Sequence, residues 1–132
     1  MERMEPCLGT QNNMQYKTKF SGKKEVHKTG ATRDSREGKG RFDLIPAQSL
    51  RRLAAVYERG AKNHGPNNWQ KGIPFSRCID SALRHTNQYK EGMRDEDHLA
   101  QAVWNLFAII FFEEIGKAKL NDLPYYKSNK KQ

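Results

Sequence analysis

A chain of 132 residues is long enough for one domain with a modest core. Its formal charge is +9, but residues 1–30 carry +3 of it and residues 117–132 carry +4. An excess confined to the ends argues against a dedicated nucleic-acid surface, and a mean hydropathy of −0.97 points to polar ends around a smaller folded unit.

Cys7 and Cys78 make neither a disulfide framework nor a zinc-ligand spacing, which suits a reducing compartment. Cys78 falls on an apolar helix face, where it packs rather than reacts. Residues 1–30 lack the apolar run of a signal peptide. The apolar run near the other end is broken by Gln101 and Asn105 and is too short to span a membrane. The expectation is a cytoplasmic protein.

Taken in order, residues 1–29 have no sustained period and read as a flexible basic arm. Residues 30–116 read as the folded domain, all-α, a small bundle of three to four main helices without strands. At its start Arg33, Arg36, Lys39 and Arg41 crowd around Gly38 and Gly40. The stretch reads either as a solvated linker or as a loop that brings backbone N–H groups and cations to a phosphate. It is not a Walker loop, because the G-x-x-x-x-G-K-[ST] spacing is absent.

The spacing predicts a first helix from about Pro46 to Asn63, burying Leu50, Leu53, Ala54, Tyr57 and Ala61. Glu58 lies one position from that face, where its ordinary role is a surface pair with Arg51 or Lys62. Trp69 follows in a polar loop, placed either to plug the end of the bundle or to stack on a base. A second helix starts near Pro74-Phe75-Ser76 and closes at Lys90-Glu91-Gly92, with Phe75, Cys78, Ile79, Ala82, Leu83 and Thr86 as its apolar stripe. Asp80 and Arg84 lie on its other side, four apart, and as a surface pair are worth about 0.3–0.5 kcal/mol.

The third helix opens at Asp95-Glu96-Asp97, where negative charge meets the positive end of the helix dipole, and runs to Ile115. It is apolar on nearly every side, so it belongs in the middle of the bundle. Its one polar line is His98, Gln101 and Asn105, three and four apart, and buried polar groups need partners. The short loop before it makes the second and third helices antiparallel neighbours. That brings His85 and Glu91 beside Asp95, Asp97 and His98. Such a junction reads either as helix-start carboxylates with structural histidines or as a site for Mg²⁺, Mn²⁺ or a transition metal. Residues 117–132 read as a docking segment, Asp122 to Tyr126, followed by a basic tail.

Several blocks, in order, carry a resemblance: Gly30-Ala31-Thr32-Arg33-Asp34 with Gly38-Lys39-Gly40-Arg41-Phe42-Asp43-Leu44-Ile45-Pro46, Tyr57-Glu58-Arg59-Gly60-Ala61-Lys62, Asn68-Trp69-Gln70-Lys71-Gly72-Ile73-Pro74, Ser81-Ala82-Leu83-Arg84-His85, and Asp97 to Asn105. Together they resemble the N-terminal domain of the phage-associated dATP/dGTP diphosphohydrolase family. The resemblance implies an all-α domain that processes purine deoxynucleoside triphosphates. It makes Arg33, Lys39 and Arg41 phosphate-loop candidates, with Arg84 beside them, and Trp69 a base-stacking candidate. His85, Asp95 and His98 become metal candidates, backed by Asp80, Glu58 and Asn105. A MazG-like enzyme of this kind would add a divalent ion, Mg²⁺ or Mn²⁺, and a homo-oligomer. The Glu-Glu-x-x-Glu and Glu-x-x-Asp blocks of that group are absent from the chain, whose one Glu-Glu pair is Glu113-Glu114.

The function expected is therefore metal-dependent hydrolysis of a purine nucleotide to monophosphate and pyrophosphate. Two other readings fit fewer features. One is a phage protein that sequesters a nucleotide or nucleotide second messenger; the other is an accessory protein that meets nucleic acid through its basic ends.

Overall fold

The computed structural model describes residues 20–125, so Cys7, most of the expected arm and the basic tail lie outside the described residues. The chain forms two compact units divided after Phe42. In the first, β1 (Lys24–Val26) and β2 (Thr32–Asp34) pair antiparallel, with Glu25 opposite Arg33. A turn closed by Gly30, at a φ of 86°, and by the His27 N–H on the Ala31 carbonyl joins them. These strands correct the strand-free reading, which found no apolar alternation because none is needed. Polar bonds supply the order instead: Asp34 accepts from the Ser21 N–H at 3.0 Å, from its hydroxyl at 2.7 Å and from Lys39 Nζ at 2.6 Å. The Lys39 ammonium and the Ser21 donors hold the Asp34 carboxyl at about 2.

The second unit is a helical bundle of α1 (Ala47–His64), α2 (Phe75–Lys90) and α3 (His98–Glu114). Three pairings show α2 and α3 to be antiparallel. Phe75 stacks on Phe112 with ring centroids 6.3 Å apart, Asn105 Nδ2 donates to Ser81 Oγ at 3.3 Å, and His85 meets His98. Cys78 and Ala108 are fully buried between these pairs, and their small side chains let the two backbones approach. Trp69, Trp104, Phe111, Leu120 and Leu123 close around this core.

The buried stripe of α2 is Phe75, Cys78, Ala82 and His85, rotated from the expected one, and it leaves Leu83 exposed. On α1 the face narrows to Leu53, with Tyr57 and Ala61 half-buried, while Leu50 and Ala54 are exposed. Nor is α3 covered on every side. It packs against α2 and α1, and Val103, Leu106, Phe107 and Ile110 face outward, 41–56 % exposed. Among the described residues, two neighbours cover two sides of the helix and leave the third open.

The α3 helix begins later than its carboxylates suggest. Asp97 is its N-cap, accepting from the Ala100 N–H at 3.1 Å, and Asp95 and Glu96 lie in the loop ahead of it. Arg52 of α1 grips the same carboxylate with two bonds, of 2.8 and 2.6 Å. After α3 the chain returns to the bundle. Asp122 accepts from the Ser76 N–H at 2.9 Å and from its hydroxyl at 2.6 Å, which caps α2 from a distant part of the chain. Leu120 lies over Gly72 so closely that a Cβ there would meet it at 3.2 Å. Among the described residues no helix is long and apolar enough to cross a membrane.

Candidate metal centre

Antiparallel packing and the short loop bring two histidines into contact. His85 is fixed by its place on the buried stripe of α2, and His98 opens α3 immediately after its cap. Their Nδ1 atoms are 2.9 Å apart, and both rings are buried. On its other side His98 Nε2 lies 2.9 Å from Asp95 Oδ1. A carboxylate only accepts, so His98 carries its proton on Nε2 and turns the Nδ1 lone pair towards His85. That hydrogen bond from His98 is also the main reason the Asp95 carboxyl is held below its ordinary value. Burial, reinforced by the neighbouring Arg84 and His98 and opposed by Glu96, pushes the His85 imidazole below its ordinary value.

Glu96 completes the group. One ligand atom from each of His85, Glu96 and His98 lies within 4.8 Å of the others. The donors fit a divalent ion. Two nitrogens and one carboxylate favour a transition metal over Mg²⁺, which prefers oxygen throughout.

Glu96 also borders a cavity of about 480 Å³. Tyr57, Trp69 and Trp104 line it and lie in mutual contact, with ring centroids 5.8–6.0 Å apart. Arg59, His64 and Gln101 add polar groups to the wall. The volume and the aromatic lining suit a small flat ligand.

The structure thus brings His85 and His98 together, as the sequence suggests, and puts Trp69 on a cavity wall. It places Asp95 behind His98 rather than in the ligand group, and Glu96 takes that place. Asp80 and Glu58 are exposed on α2 and α1 and are not part of the group, and Arg84 donates to Ser81 Oγ at 3.3 Å on the outside of α2. Arg33, Lys39 and Arg41 belong to the N-terminal unit, where Lys39 is paired with Asp34. Sequence reasoning missed Glu96, Arg59 and Trp104. For Trp104 a signal existed, because it stands three residues after Gln101 on a helix and so beside the polar line.

The family described as dATP/dGTP diphosphohydrolase, N-terminal, matches residues 29–122. The chain belongs to that family. No curated protein and no solved structure matches it. The diphosphohydrolase match takes in all three residues of the ligand group and every residue of the cavity wall. It ends at Asp122, the residue that caps α2.

Proposed function

We propose that this domain hydrolyses purine deoxynucleoside triphosphates to the monophosphate and pyrophosphate, in phage nucleotide metabolism. The observation that carries the reading is Glu96, which belongs both to the His85–Glu96–His98 group and to the wall of the aromatic cavity. In this reading the purine lies against Trp69, Trp104 and Tyr57, and Arg59 supplies positive charge to the phosphates. His85, Glu96 and His98 would hold a divalent ion, which would supply the charge to polarise phosphate oxygens and acidify water; Mn²⁺ or another transition metal suits these donors. Water adds to the α-phosphorus, the α–β bridging bond breaks, and pyrophosphate leaves as a proton passes to solvent. Asp95 holds His98 in the required tautomer throughout. Membership of a family described as dATP/dGTP diphosphohydrolase supports the substrate class.

The same reading includes a homo-oligomer. Val103 and Phe107 of α3, with Leu50 and Ile45 from α1 and the loop before it, line a groove of about 310 Å³. Its one charged lining residue, Arg52, is already paired with Asp97. Such a face is suited to self-association across a two-fold axis, and light scattering of the wild type against Phe107→Asp tests it.

The test of function is a panel of deoxynucleoside triphosphates incubated with the protein and Mn²⁺, with products separated. Release of dAMP or dGMP together with pyrophosphate, lost in His98→Ala, is the expected result. Nucleotides bound tightly and returned intact would make this a sequestering protein, and neither binding nor turnover would refute both readings.

A further inference from the structure

Of the polar line on α3, two members are satisfied within the protein. His98 bonds to Asp95 and His85, and Asn105 donates to the Gln101 carbonyl at 2.9 Å and to Ser81. Gln101 is different. Its side-chain Nε2 is buried and has no hydrogen-bond partner among the described residues, while the residue borders the cavity that Glu96 also borders. A buried N–H without a partner is uncommon in a folded protein and calls for a specific cause. It stands one helical turn after His98, a rise of about 4.5 Å along the axis. What is missing is an acceptor, and it is missing beside a group suited to a cation.

We propose that Gln101 is a catalytic residue whose side-chain N–H donates to a phosphate oxygen of the bound nucleotide; the inference rests on the function proposed above. An anionic oxygen satisfies a buried donor better than a neutral one, because charge-assisted hydrogen bonds are shorter and stronger. A donor fixed on a helix keeps its direction as negative charge builds on the phosphate during water attack, and so it stabilises the transition state without having to reorganise. No bond to Gln101 forms or breaks. The amide brings a dipole where a lysine would bring a full charge next to the metal ligands, which leaves their affinity for a cation intact.

The experiment compares wild type with Gln101→Ala and Gln101→Glu, the latter of nearly the same shape but presenting an acceptor in place of the donor. Three quantities are read: Mn²⁺ affinity by calorimetry, hydrolysis, and binding of pyrophosphate in the presence of Mn²⁺. Expected are Mn²⁺ affinity within about threefold of wild type for the alanine variant and kcat lowered by about 10²-fold. The glutamate variant should bind pyrophosphate at least tenfold more weakly than wild type. Unchanged kcat in Gln101→Ala, or equal pyrophosphate binding in wild type and Gln101→Glu, would overturn the proposal. If the wild type hydrolyses no nucleotide, the hydrolase reading fails on its own, and pyrophosphate binding still decides whether Gln101 holds a phosphate.

Discussion

Asp97→Ala removes two interactions at once. The carboxylate caps α3 through the Ala100 N–H and receives both bonds of the Arg52 guanidinium. Loss of the cap costs about 1 kcal/mol. The Arg52 side chain is 59 % exposed, so even a two-bond pair there adds only about 0.5–1 kcal/mol. The variant should be less stable by about 1.5–2 kcal/mol, which lowers the melting temperature of a unit this size by about 10 °C. Asp97→Asn keeps an acceptor for the cap and loses the charge, so it should fall between the two. The pH dependence has a definite sign. Arg52 holds the Asp97 carboxyl below its ordinary 3.8, so the unfolded chain takes up the proton first. The stabilisation is complete above that value and is lost as the pH falls through the lower, folded one. Denaturant titrations of the metal-free proteins, followed by circular dichroism, should show the gap between wild type and Asp97→Ala narrowing in acid. A gap below about 0.5 kcal/mol at neutral pH, or one that widens on acidification, would refute this account of the α1–α3 junction.

Three further outcomes are expected. Asp95→Asn should weaken Mn²⁺ binding by about 10–100-fold in calorimetry, because the His98 ring loses the carboxylate that fixes its tautomer, and His98→Ala should abolish it. Phe112→Ala empties a fully buried site stacked on Phe75 and should cost about 3–5 kcal/mol in urea unfolding. Asp122→Ala should cost about 1–2 kcal/mol and speed proteolysis of the segment after α3, since one carboxylate serves both Ser76 donors.

Much of the bundle could be read from spacing. The short loop before α3 and the polarity on either side of it were enough to bring His85 and His98 to one junction, although the period read for α2 left His85 off the buried stripe that it in fact occupies. The polar line on α3 was visible because His98, Gln101 and Asn105 interrupt an otherwise apolar helix. Among three successive carboxylates, by contrast, sequence has no means to choose a ligand. The choice depends on which of them His98 Nε2 and the Ala100 N–H capture, and they capture Asp95 and Asp97, leaving Glu96. The hairpin escaped for another reason: its order comes from the hydrogen bonds of Asp34 and a glycine turn, and neither produces an apolar period. Arg59 was indistinguishable from any other surface cation until the cavity was known.

The cap on α2 also has a consequence for synthesis. The helix that carries His85 has its start secured by a residue 46 positions further along the chain. While the ribosome is still making α3, the first turn of α2 has unmet N–H groups and His85 sits on an unfinished helix. Only when Asp122 emerges are these contacts complete. A nascent chain stalled within α3 would therefore hold both histidines and lack the frame that sets them against each other.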